Sequence, residues 1–122
     1  MRFMMMIRAD ESSGPADGPS QELMAEMGKL MEEMTKAGVL LDTAGLRPVD
    51  EATQVHWDHG KLNVLDGPYA EAKEVVGGYA IIQARSKEEA VEWAQRFVRV
   101  HGDDWEVATE VRQIEEPPDE WT

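Results

Sequence analysis

RFMMMIR, residues 2–8, decides how this chain folds. Read with a period of two, it puts Phe3, Met5 and Ile7 on one side and Met4 and Met6 on the other. Both sides are apolar, which predicts a central strand covered on two faces. In a chain of 122 residues, helices cover one face of such a sheet, and the other face needs a second layer or a second subunit.

Outward from that strand, residues 9–19 (ADESSGPADGP) carry turn chemistry. Ser20 reads as the N-cap of a helix over residues 21–37, with Gln21 and Glu22 in its first turn. Leu23, Met27, Leu30, Met31 and Met34 form its buried stripe, which reads as ordinary core packing, and Gly38 stops it. Val39–Leu41 opens a second strand that runs toward Gly45 and ends by Pro48. Residues 53–65 read as a hairpin about His59-Gly60, where Gly60 supplies the positive φ. That register pairs Asp58 with Lys61, Trp57 with Leu62, His56 with Asn63 and Val55 with Val64. It leaves Val55, Trp57, Leu62 and Val64 on one face and the polar residues on the other.

The remainder repeats the pattern. Gly77–Arg85 reads as a strand and Ser86 as a helix cap, with Glu89 three residues on. Ala90, Val91, Ala94, Phe97 and Val98 are that helix's buried face. His101–Asp104 turns the chain into a last strand at Trp105–Ile114. The order matches a ferredoxin-like α+β fold, a split βαβ with an inserted hairpin, in one domain over residues 1–122. Its helix-free face, carrying Met4 and Met6, predicts a homodimer. The tail at residues 115–122 is expected to order against a partner.

Composition narrows the function. Twelve Lys and Arg stand against 25 Asp and Glu, a formal net charge of −13. Such a surface repels phosphate backbones and anionic lipid, so neither nucleic acid nor membrane is expected as a partner. The chain has no cysteine, which removes disulfides, thiolate metal sites and thiol nucleophiles. No stretch approaches the length of a membrane span or a signal-peptide core, and a cytoplasmic location is expected. Walker, GxGxxG, GxSxG and HExxH patterns are absent, and no cofactor is expected. His56 and His59 are three apart on a hairpin, so they face different ways and no metal site is expected there. His101 reads as structural.

Asp66-Gly67-Pro68-Tyr69-Ala70-Glu71-Ala72-Lys73-Glu74, followed by Gly77-Gly78-Tyr79, resembles the YCII-related, DGPF-domain family, with Tyr69 where the family usually has Phe. The RFMMMIR opening, Lys36–Leu40, Gly45-Leu46, Glu92–Ala94 and Glu110–Arg112 carry the resemblance across nearly the whole chain. It implies a dimeric α+β barrel, two ferredoxin-like sheets packed face to face, with a cleft between sheet and hairpin near the Asp66 turn. Some relatives in the wider superfamily act on hydroquinone-type rings through a His–Asp pair, the His in the first helix. Helix 21–37 holds no histidine, so Asp42, which matches the Asp of that pair, stands without its partner here. Dehydrochlorinase chemistry is therefore not expected.

Two main readings remain open, beside the plainer one of an interaction module with no ligand. The first is an enzyme handling a small organic molecule by proton transfer, a lyase or isomerase. Its candidate catalytic residues are Asp66, Tyr69 and Asp42, and Gly67, Pro68, Glu71, Lys73, Met4 and Met6 would contact the substrate. The second is a non-catalytic ligand-binding or regulatory module. The resemblance implies a link to transcription control for it, since family members are often encoded beside alternative sigma factors. Each candidate also has a structural explanation. Asp66 can hold the turn, Gly67 and Pro68 can shape it, and Glu71, Lys73 and Glu74 can pair with one another at the surface.

Overall fold

A computed structural model of the chain describes residues 1–9, 14–15, 17–67 and 75–116. In chain order these form β1 (Arg2–Ala9), α1 (Gln21–Lys36), β2 (Leu40–Gly45), a 3₁₀ turn (Val49–Glu51), β3 (Thr53–Asp58), β4 (Lys61–Asp66), β5 (Val75–Gln83), α2 (Lys87–Val100) and β6 (Val107–Gln113). β2, β5, β1 and β6 make a four-stranded antiparallel sheet in that order, and β3–β4 stands apart as a two-stranded sheet. This is the ferredoxin-like α+β arrangement with an inserted hairpin.

β1 is central, as its two apolar faces require. It pairs β5 on one side and β6 on the other. Phe3 and Met5 are 1% exposed against the helices, whereas Met4 and Met6 stay half-buried on the open face. The core joins Phe3 and Met5 to Leu30 and Met34 of α1, Ala80 and Ile82 of β5, and Ala90 and Ala94 of α2. Both helices start where the cap residues place them. Ser20 Oγ accepts from the Leu23 amide at 3.0 Å, and Ser86 Oγ accepts from the Glu89 amide at 3.1 Å. The Glu89 carboxylate accepts from Arg85 Nε at 3.1 Å.

The hairpin keeps the register read from its alternation, residue for residue from Val55–Val64 to Asp58–Lys61. His59 and Gly60 both take positive φ, 48° and 95°, the geometry of a type I′ turn. Element ends differ from the sequence reading by one or two residues, and one short element is new. β5 starts at Val75 rather than Gly77, because an irregularity opposite Ile7 and Arg8 absorbs one residue and lets the ladder continue. β6 starts at Val107 rather than Trp105, whose ring packs against His101 instead. The 3₁₀ turn at Val49–Glu51 is too short to show a period in sequence.

Ion pairs between segments far apart in sequence also close the structure. Arg2 holds Glu116 with two parallel hydrogen bonds, 2.7 Å from Nε and 2.6 Å from Nη2. Glu116, the second residue of the expected tail, is thus held by its own chain, while residues 117–122 lie outside the described residues. Arg96 of α2 pairs with Glu33 of α1 and lies 5.0 Å above the Trp93 ring. The hydrogen bond from Arg96 holds the Glu33 carboxyl below its ordinary value of 4.5, and Arg2 does the same to Glu116. A lowered folded-state pKa stabilises above the unfolded value and is lost as pH falls through the folded one. Glu33→Gln is expected to lower the melting temperature slightly at pH 7, and that difference should begin to shrink below pH 4.5 and be gone once the pH is below the lowered folded-state value. Melting curves of the two proteins from pH 7 to 3 test this; a difference independent of pH would contradict it.

Candidate functional site

The pleat sorts the sheet's side chains into two surfaces. On the helix side, α1 and α2 face the strands. A cavity of about 330 Å³ opens between them, lined from α1 by Met27, Met31 and Met34, from α2 by Phe97 and from β1 by Met5 and Ile7. Its sheet side is Thr43–Gly45 of β2 and Gly77–Ala80 of β5. The sequence explains the gap. Gly45 and Gly78 are register partners, so two positions on the helix-facing side carry no side chain. A Cβ added at Gly45 would meet nothing within 4 Å, whereas one at Gly78 would lie 3.0 Å from the Ala44 carbonyl oxygen. Four of the chain's eight methionines line the space. Their unbranched thioethers give a soft, polarisable wall that adapts to an occupant.

The open side of the sheet has a different character. Met4 lies between Ile81 and Arg112, and Met6 between Tyr79 and Glu110. Asp42 is opposite Ile81. One Asp42 carboxylate oxygen accepts from the Thr43 amide at 2.9 Å, and the other accepts from the Tyr79 hydroxyl at 3.3 Å. Toward β6, Glu110 lies 3.5 Å from Arg8 and 3.8 Å from Arg112. An apolar strip of Met4, Met6, Ile81 and Tyr79 is therefore edged by one acid on β2 and by two bases and an acid along β1 and β6.

Among the described residues, the sequence-predicted candidates fall on two separate sheets. Asp42, Met4 and Met6 share the open face of the large sheet. Asp66 ends β4 in the separate hairpin, where it accepts from Thr53 Oγ1 at 3.0 Å. The Gly67 amide donates to the Ala52 carbonyl at 2.8 Å. Asp66 and Gly67 thus tie the base of the hairpin to the 3₁₀ turn. Pro68, Tyr69, Glu71, Lys73 and Glu74 lie outside the described residues. His59 Nδ1 lies 2.6 Å from the Asp58 carboxylate at the hairpin tip, and His56 is on the hairpin's polar face. His101 donates from Nδ1 to the Phe97 carbonyl at 3.1 Å, and its ring packs edge-on between Phe97 and Trp105.

The cavity under α1 is the feature that sequence reading passed over. The methionine stripe was visible there as core packing. What turns it into a cavity is the juxtaposition of that stripe with Gly45 and Gly78, and this needs the β2–β5 register to be known. No helix among the described residues is long and apolar enough to cross a membrane.

With this geometry in view, residues 1–114 match the family model of the YCII-related domain. A relative in Rhizobium meliloti (strain 1021), described as an uncharacterized protein, is 29% identical over 97 residues, which is 78% of each chain.

Proposed function

We propose, for a chain that belongs to the YCII-related domain family, that it binds a small, largely apolar organic molecule in the cavity beneath α1. The observation that carries this reading is the cavity itself. Its volume of about 330 Å³ falls within the range of small-molecule sites, and its wall is methionine, phenylalanine and glycine backbone. This reading puts binding under α1, whereas the sequence reading expected a cleft beside the Asp66 turn.

Gly45→Phe is the direct test, because a side chain there enters open space on the cavity's sheet side. With 2-naphthol as probe, followed by saturation-transfer NMR and calorimetry, the substitution is expected to weaken binding at least about tenfold with no loss of melting temperature. Equal binding by both proteins, or none by the wild type, would sink the proposal.

A proton-transfer enzyme, lyase or isomerase, is the second reading, and one observation favours it. The Tyr79 hydroxyl donates to Asp42 on the open face of the sheet, beside Met6 and away from the cavity under α1. Asp42 would then be the base of a separate site on that face, with Tyr79 orienting its carboxylate, Asp66 holding the hairpin and Tyr69 a further candidate. Unchanged turnover of a confirmed substrate by Asp42→Asn would leave only the binding module, including its regulatory form.

The same reading makes the protein a homodimer through the open sheet face. Its apolar strip carries acid on the β2 side and mostly base on the β6 side, so two copies packed face to face can set unlike charges against each other. Met6→Arg places a charge in the middle of that strip and is expected to give a monomer by sedimentation equilibrium. A dimer that survives Met6→Arg would rule out this face.

A further inference from the structure

The β3–β4 hairpin is packed on little but itself. Val55, Trp57, Leu62 and Val64 share one face and are 67%, 68%, 60% and 63% exposed. Two strands alone are marginal in water, yet this pair is well formed and its apolar side chains all point one way. Isolated apolar residues on a surface need no explanation, but four on one face of a free-standing hairpin mark a contact surface.

We infer that the hairpin is an intersubunit arm, and that its Val55–Trp57–Leu62–Val64 face packs on a second copy of this chain. Two observations choose that occupant. The first is area. With about two-thirds of each side chain exposed, the face offers on the order of 400–500 Å², roughly half of the ~800 Å² that each partner gives to a stable interface. The hairpin therefore does not hold a dimer alone. The apolar strip on the open sheet face supplies the rest, so the arm rests on the dimer reading above and completes it.

The second observation is charge. The chain carries −13, but the hairpin, Thr53–Asp66, contains only two acids, Asp58 and Asp66, against one base, Lys61, and both acids lie at the ends of its strands. The Val55–Trp57–Leu62–Val64 face itself carries no charge on a strongly acidic protein, and an uncharged face is where two like-charged copies approach with least repulsion. The hairpin's polar face, with His56 and Asn63, remains in water, and its apolar face is desolvated. Trp57 is the anchor, since a large aromatic ring carries the most contact area of the four and interface energy concentrates in such residues.

The experiment compares two double variants by sedimentation equilibrium. Trp57→Lys with Val64→Lys puts two charges on the apolar face. His56→Lys with Asn63→Lys puts the same two charges on the opposite face. The first pair is expected to raise the dimer dissociation constant at least about 100-fold, and the second less than about threefold. In the wild type, hydrogen exchange of the Val55–Val64 amides should slow as protein concentration rises through that constant, and Met6→Arg should abolish the dependence.

Wild-type dimerisation by the apolar-face pair would overturn the arm while leaving the sheet-face dimer intact. Equal weakening by both pairs would overturn it too, since only hairpin integrity would then matter. A wild type that is monomeric at every concentration would overturn both readings and leave the face to a different protein.

Discussion

Phe3→Ala is expected to remove about 4 kcal/mol of folding stability, within the ~3–5 kcal/mol span for a fully buried phenylalanine cut to alanine. Domains of this size are stable by ~5–15 kcal/mol in total, so the variant should be partly unfolded near body temperature. Phe3 earns this cost by position. It is 1% exposed on the central strand, opposite Ile82 in the ladder, in one cluster with Leu30, Met34, Ala90 and Ala94. Removing the ring leaves a void between the sheet and both helices, which the neighbouring methionines fill only in part. Met4→Ala, one residue away, is expected to behave differently. Met4 faces the open side, so its cover would come from a second copy, and its cost should grow with protein concentration. Denaturant titrations of both variants at two protein concentrations check this. Equal, concentration-independent costs would contradict the two-faced reading of β1.

Gly67→Ala is expected to detach the hairpin from the body. A Cβ at that position would overlap the Val49 carbonyl oxygen and lie 3.2 Å from the Ala52 carbonyl oxygen. Both atoms are backbone, so no flexible side chain can yield. Either the 3₁₀ turn moves or the Gly67–Ala52 hydrogen bond breaks, at a cost of ~1–3 kcal/mol. The loss should be local. The Gly67 amide should exchange at least about tenfold faster, while core amides such as those of Met5 and Ile82 keep their rates. Because the hairpin would then lose its aim, the dimer should weaken as well. Unchanged exchange at Gly67 would show that the turn adapts, and the packing explanation for this glycine would fail. The glycine of the Asp66-Gly67-Pro68 element is thus set by a close approach of backbone to backbone.

Sequence alone carried the framework where local rules were unopposed. The β1 faces, the Ser20 and Ser86 caps and the hairpin register all follow from periods and cap chemistry that tertiary packing did not override. The misses have particular causes. Gly77-Gly78 read as the start of a strand, whereas the irregularity at that point let β5 begin two residues earlier. The cavity depends on a gap between two surfaces, α1 and the β2–β5 edge, and neither surface shows it alone. The sequence left open whether Asp42 and Asp66 face one cavity, because that depends on topology: one belongs to the large sheet and the other to the hairpin. Residue type identified candidates, and only topology could say which of them meet.

The placement of β1 also fixes when this protein can fold. Phe3 pairs with Ile82 on one side and with Gln113 on the other, so both neighbours of the central strand are made long after it. At ~5–20 residues per second, translation needs on the order of ten seconds to reach the second partner. During that interval RFMMMIR is an unpaired segment, apolar on both faces and suited to pair with any other exposed strand. The stretch that organises the finished sheet is therefore its most aggregation-prone part on the ribosome, and the yield of folded protein should respond more to chaperone supply than the native state's stability alone would suggest.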